Sequence, residues 1–222
     1  MLLAIDTSGP FCSAALLDLK TSQFVFSRQD ELGRGHAEHL MAMLEEEFQR
    51  TGTNWSELSR LAVVHGPGSF TGLRVGIAAA RGFALALKIP CNAVSVFDAL
   101  SHHHAIGNLA CVLDARRGQV WMQCFDGQGK PLESPAAFAV ETIAEAIPDS
   151  IKNIAGSGSA LLQSADEARF NILDACKAPP IEAVALFAAN TAAASHPPKP
   201  LYLREPDAKP QTTAPTQSGS GQ

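Results

Sequence analysis

A chain of 222 residues, 46% of them hydrophobic, is long enough to bury a full core in one domain or two small lobes. Its formal net charge of -5 opposes a phosphate backbone, so holding RNA alone is not expected of it. No uncharged apolar run reaches bilayer-spanning length, and no basic region precedes an apolar block at the N-terminus, so neither a membrane span nor a signal peptide is expected.

In chain order, residues 2–6 predict a buried strand ending in Asp6, followed by the turn Thr7-Ser8-Gly9-Pro10 and strands near 12–17 and 24–26. Residues 36–50 predict an amphipathic helix with Leu40, Leu44 and Phe48 on one face. A short helical turn is expected at Trp55–Leu58, then a strand at 61–65, a glycine-rich loop and a helix over 70–88 that Pro90 stops. Ser69 stands at the N-cap of that helix. A short strand at 93–95 leads to a helix at 96–104, where Ser95 and Asp98 have capping-box spacing.

A second half opens near Ala110, with strands at 111–114 and 120–125 around the turn Arg116-Arg117-Gly118. The openings LLAIDTSGPFCSAALLD and ACVLDARRGQVWMQCFD share a pattern of strand, aspartate, turn, strand and aspartate. Asp6 to Asp18 and Asp114 to Asp126 have equal separation, which points to a duplicated hairpin-plus-helix unit. The expected lobes are 1–105 and 106–204, the second carrying a strand at 151–155 and helices near 141–147 and 181–194. Residues 205–222, rich in Pro, Gln, Thr, Ser and Gly, read as a disordered tail. Five widely spaced cysteines form no C-x-x-C pair and read as buried thiols in a reducing compartment, which makes the cytoplasm the expected location.

The stretch His65-Gly66-Pro67-Gly68-Ser69-Phe70-Thr71-Gly72-Leu73-Arg74-Val75-Gly76 is the most distinctive in the chain. It is neither a Walker loop nor a dinucleotide fingerprint, because it lacks Gly-Lys-Ser/Thr and the required glycine spacing. It resembles the signature of the TsaB (YeaZ-like) family. Leu3-Ala4-Ile5-Asp6-Thr7-Ser8, Gly35-His36-Ala37-Glu38-His39-Leu40, Val112–Gly118 and Pro200-Leu201-Tyr202-Leu203-Arg204 fit the same family in order. The resemblance covers roughly residues 1 to 204.

That resemblance implies an α/β, actin/Hsp70-like (RNase H-like) two-lobe fold whose last segment returns toward the first lobe. It implies a supporting role in making threonylcarbamoyladenosine at position 37 of tRNA, beside a catalytic paralogue, TsaD, and an ATPase of the TsaE type. The paralogue carries an H-x-x-x-H metal motif where this chain has Val96 and Leu100, neither of which binds a metal. No catalytic residue and no metal site are therefore assigned.

Several groups carry two readings. Asp6, Thr7 and Ser8, with Asp114 as their counterpart and the loop of Gly156 and Gly158, match the phosphate and adenosine sides of a nucleotide cleft that would take ATP or ADP. Against this, strand-end aspartates commonly cap turns, and no lysine accompanies the loops to neutralise a γ-phosphate. His36 and His39 have the spacing of a zinc pair, yet no third ligand stands in fixed relation, and a surface or interface helix face is the alternative. His102-His103-His104 suits a helix C-terminus. Gly72, Gly76, Ala80 and Ala84 recur every fourth residue and form a smooth stripe, suited either to the chain's own sheet or to a partner helix.

The expected partner interface comprises His36, His39, Leu40 and Met43 on one helix and Gly72, Gly76 and Ala80 on the other, with Met41 beside them. Arg116 and Arg117 either cap a hairpin or touch RNA held by the partner. Two rival readings remain at this stage. One is an ATP-dependent phosphotransferase or metal-dependent hydrolase using Asp6, Asp114, His36 and His39. The other is a structural homodimer.

Overall fold

A computed structural model describes residues 1–162 and 169–204. The tail expected at 205–222 lies outside the described residues.

The first half forms a five-stranded sheet. β1 (Leu2–Asp6) pairs antiparallel with β2 (Phe11–Asp18), which pairs with β3 (Gln23–Glu31). On its other edge β1 runs parallel to β4 (Arg60–Gly66), which runs parallel to β5 (Cys91–Ser95). The order is β3-β2-β1-β4-β5. Every residue of β1 is buried, as an uninterrupted apolar run covered on both faces requires. β3 runs well past the expected 24–26, because its polar second half alternates exposed and half-buried along a sheet edge.

The second half repeats the plan. β6 (Leu109–Arg116), β7 (Gln119–Phe125), β8 (Ala136–Ala139), β9 (Asn153–Ala155) and β10 (Asn171–Ile172) form a sheet ordered β10-β9-β6-β7-β8. Read from its hairpin edge, that is the order of the first sheet, with antiparallel and parallel pairings in matching places. The aspartates found by spacing do equivalent work. An Asp18 carboxylate oxygen accepts the Lys20 N–H at 2.8 Å, and one of Asp126 accepts the Gln128 and Lys130 N–H groups at 2.9 Å. Each pins the turn after the second strand of its lobe.

The helices are α1 (His36–Thr51), α2 (Phe70–Leu87), α3 (Val96–His104), α4 (Ile143–Ala146), α5 (Ser159–Leu162) and α6 (Ile181–Asn190). They interleave with the sheets as five layers. On the outer face of the first sheet, Leu40, Leu44 and Phe48 of α1 and Leu73 and Ile77 of α2 pack on Leu3, Ile5, Leu61 and Val63. Between the sheets, Phe97 and Leu100 of α3 and Val184 and Ala188 of α6 pack with Leu2 and Ala4 on one side and Cys111 and Leu113 on the other. On the far face, Ile143 of α4 and Leu162 of α5 cover Ala110, Val112 and Val120.

The last helix of each half crosses over. α6 packs across all five strands of the first sheet, and α3 contacts β6 of the second. Arg60 at the start of β4 donates to the carbonyls of Ala188 and Thr191, each at 3.1 Å, and so closes the C-terminus of α6. The chain then returns along the first half. The Leu201 N–H donates to the His65 carbonyl at 2.7 Å, the His65 ring contacts the Lys199 carbonyl at 2.9 Å, and Leu203 enters the middle layer. Two sheets of one strand order with terminal helices between them are the actin/Hsp70-like arrangement.

Candidate partner-docking site

The glycine loop is folded onto the chain's own first turn. Ser69 caps α2 by accepting the Gly72 N–H at 3.3 Å. The Ser69 N–H reaches the Ser8 carbonyl at 2.7 Å, and the Thr7 hydroxyl donates to the Gly72 carbonyl at 2.7 Å. A Cβ on Gly68 would strike the Ser8 carbonyl oxygen, and one on Gly72 the Thr7 carbonyl oxygen. A Cβ on Gly76 would stand 2.6 Å from the Thr7 hydroxyl. Gly68 and Gly72 are required where backbone approaches backbone, and Gly76 where the helix approaches the Thr7 side chain.

This geometry corrects the reading of the α2 stripe as a partner surface. Gly72, Gly76 and Ala80 are buried against the strands of the first sheet. Leu40 and Met43 of α1 are each 1% exposed and belong to the outer core. His39 is tied to its own chain, with Nε2 2.7 Å from the Asp30 carboxylate, which Arg28 also holds below the usual carboxylate range. His36 is half-buried, and its Nε2 finds no partner among the described residues. No group of three metal-ligating side chains occurs among the described residues.

The expected nucleotide residues are engaged likewise. Asp6, Thr7 and Ser8 are 3%, 1% and 4% exposed. An Asp6 carboxylate oxygen accepts the Ser8 N–H at 2.7 Å, and burial holds this carboxyl above its usual range despite the Ser8 bonds and the nearby His36. In the second half the loop after β9 does what the loop after β4 does. The Gly158 N–H donates to the Val112 carbonyl at 3.0 Å, and the Ser157 hydroxyl accepts the Asp114 N–H at 3.1 Å. A Cβ on Gly156 would stand 2.6 Å from the Val112 carbonyl oxygen. Val96 and Leu100 are buried in the middle layer. The first turn is thus covered by the chain's own α2 loop.

Arg116 and Arg117 both adopt left-handed backbone at the β6–β7 turn. The Arg116 side chain is 85% exposed, 3.8 Å from the Asp114 carboxylate. His104 forms a pair that sequence reasoning missed: its Nε2 lies 2.6 Å from Asp174, whose other carboxylate oxygen accepts the N–H groups of Gly156 and Cys176. Burial pushes the thiols of Cys12, Cys91, Cys124 and Cys176 up to about 12, so none is a ready nucleophile.

What stays open is the outer side of the same two helices. α1 and α2 flank a groove of about 510 Å³, lined by Ala37, Met41, Phe70, Arg74, Val75 and Ala78 among others. Met41 is 49% exposed and Phe70 37%. Leu85, farther along α2, is 82% exposed. α2 is long and apolar enough to cross a membrane by length and composition. Its Leu73, Ile77 and Ala80 face is nonetheless buried on the sheet. Large exposed apolar patches on folded proteins commonly take part in interactions.

The fold and loop define an actin/Hsp70-like two-lobe protein. A family model described as TsaD, tRNA N6-adenosine threonylcarbamoyltransferase, matches residues 27–209. A solved Pseudomonas aeruginosa structure described as similar to peptidase YEAZ superposes with a TM-score of 0.72 at 27% identity, covering 91% of this chain and 99% of that one. YeaZ from the same organism superposes with a TM-score of 0.70 at 29% identity, over 84% and 90%. An uncharacterized Mycobacterium tuberculosis protein is 32% identical over 211 residues, 94% of this chain and 93% of the relative. The tRNA threonylcarbamoyladenosine biosynthesis protein TsaB of Escherichia coli is 32% identical over 124 residues, 54% and 52% of the two chains. The chain belongs to the TsaB (YeaZ-like) family.

Proposed function

We propose that this chain is a non-catalytic partner subunit in threonylcarbamoyl transfer to adenosine 37 of tRNA, and that it docks and activates the TsaD-like catalytic paralogue through the α1–α2 groove. The observation that carries this is the open side of α2, where Phe70, Ala78 and Leu85 are exposed, Val75 is half-buried and Arg74 and Arg81 stand among them, on a helix whose opposite side is fixed by Gly72 and Gly76. Such a surface is rigid before it meets a partner, which lowers the ordering cost of association.

The engaged state of Asp6, Thr7 and Ser8 supports a supporting rather than a phosphoryl-transferring role for this chain. A TsaE-like ATPase completes the assembly, and tRNA is held chiefly by other subunits, in keeping with the net charge of -5. In isolation the same groove serves for self-association. Chemistry and subunits of this kind belong in the cytoplasm.

The test is tRNA modification in vitro by the paralogue and the ATPase, with and without this chain. Product is expected only when it is present, and Asp6→Asn with Asp114→Asn is expected to leave the rate within about twofold. Equal product without the chain would refute the proposal.

A further inference from the structure

The C-terminal segment Lys199–Arg204 ties the wall of the docking groove to the second sheet. Its upstream part is fixed by the Leu201 N–H on the His65 carbonyl and by the His65 ring on the Lys199 carbonyl. Gly66 is required beneath it, because a Cβ there would stand 2.5 Å from the Leu201 carbonyl oxygen. Its downstream part reaches the other half, where Leu203 packs between the sheets and Arg204 donates to the Gln119 side chain on β7.

Between these anchors, Tyr202 faces the first turn of α2. Its ring lies 5.1 Å from that of Phe70, inclined by 34°. The Arg74 guanidinium sits 3.7 Å from the centre of the Phe70 ring, and Arg74 Nε donates to the Tyr202 hydroxyl at 3.4 Å. Tyr202, Phe70 and Arg74 thus form a closed triangle of contacts, and two of its members line the groove. Phe70 and Arg74 are both exposed. Free of Tyr202 each would sample several rotamers, and docking would have to order them.

We propose that Tyr202 is a positioning residue for the docking groove: it holds Phe70 and Arg74 in the arrangement a partner helix meets, and through Arg204 it makes that arrangement depend on the second lobe. The proposal rests on the reading of the α1–α2 groove as the paralogue's docking site. The relevant contact is an aromatic pair reinforced by a cation over the ring.

The experiment uses the full chain and the purified TsaD-like paralogue. Tyr202 is the single tyrosine of the sequence, so 3-fluorotyrosine labelling gives one 19F resonance that reports on this contact alone. Saturating paralogue is expected to move that resonance. Tyr202→Ala is expected to weaken binding about tenfold, and Tyr202→Phe, which keeps the ring, to recover most of the loss. An unmoved resonance at saturation overturns the proposal, as does wild-type affinity for Tyr202→Ala. Were Tyr202→Ala to unfold, the resonance of the wild-type chain would still decide. Ala78→Glu separates the two ideas. If Ala78→Glu abolishes binding and Tyr202→Ala does not, Tyr202 has no positioning role. If neither variant affects binding, the groove is not the docking site.

Discussion

The Thr7 hydroxyl donates to the carbonyl of Gly72 across 2.7 Å, joining the β1–β2 turn to the first turn of α2. This bond explains the chain's most distinctive sequence. The β1–β2 turn packs on the first turn of α2, and glycines at 68, 72 and 76 let that helix come close enough.

The first prediction follows from what each glycine meets. A methyl at position 72 strikes the Thr7 backbone carbonyl, which cannot move without the strand. A methyl at 76 meets the Thr7 hydroxyl at 2.6 Å, and a side chain can turn. Gly72→Ala is therefore expected to destabilise more than Gly76→Ala, and Gly76→Leu to cost about 1–3 kcal/mol or more through overpacking. Urea unfolding of the three variants gives the ranking. Equal stability of Gly72→Ala and wild type would refute the packing account.

The second concerns Asp6. Burial raises its folded value above the ordinary 3.8. The stabilising contribution of this group is thus complete below about 3.8 and is lost as pH rises through the folded value. Asp6→Asn keeps an oxygen for the Ser8 N–H and removes the titration. Its stability relative to wild type is expected to improve as pH rises above about 4. Asp6→Ala leaves that N–H unpaired and is expected to cost about 1–3 kcal/mol. Unfolding midpoints measured across pH would show a flat difference for Asp6→Asn if burial did not act on this carboxyl.

Asp174 carries the opposite sign. Burial would raise it, but the Cys176 and Gly156 N–H groups and the nearby His104 outweigh that and hold it below the ordinary 3.8. Its contribution is present above about 3.8 and is lost as pH falls through the lower folded value. Asp174→Ala unpairs two backbone donors and His104, at about 2–3 kcal/mol. For a chain of this size that lowers the thermal midpoint by on the order of 5–10 °C. Calorimetry at neutral pH checks the size, and an unchanged midpoint would contradict it.

The architecture was legible where periodicity and punctuation agree. The apolar run of β1, the Ser69 and Ser95 caps and the equal Asp6–Asp18 and Asp114–Asp126 spacings are local signals, and each has its expected structural counterpart. β8 and β10 were not legible, since four and two residues carry no readable alternation. The site was legible only in part. The four-residue stripe on α2 was visible, but sequence cannot say whether a smooth face meets the chain's own turn or a partner. Here Gly72, Gly76 and Ala80 face inward, while Ala78 is exposed and Val75 half-buried. Likewise, the His104–Asp174 pair joins residues 70 positions apart and leaves no local trace.

The most direct test of the account is the affinity of the full chain for the TsaD-like paralogue after Ala78→Glu. Ala78 is exposed in the groove, so a glutamate there is expected to leave the fold intact while putting a larger, charged side chain into the contact surface beside Met41, Val75 and Arg74. Isothermal titration is expected to show binding weakened at least about 100-fold, with an unchanged unfolding midpoint and a matching loss of tRNA modification. Wild-type affinity for Ala78→Glu would place the paralogue elsewhere on the chain and contradict the assignment of the α1–α2 groove.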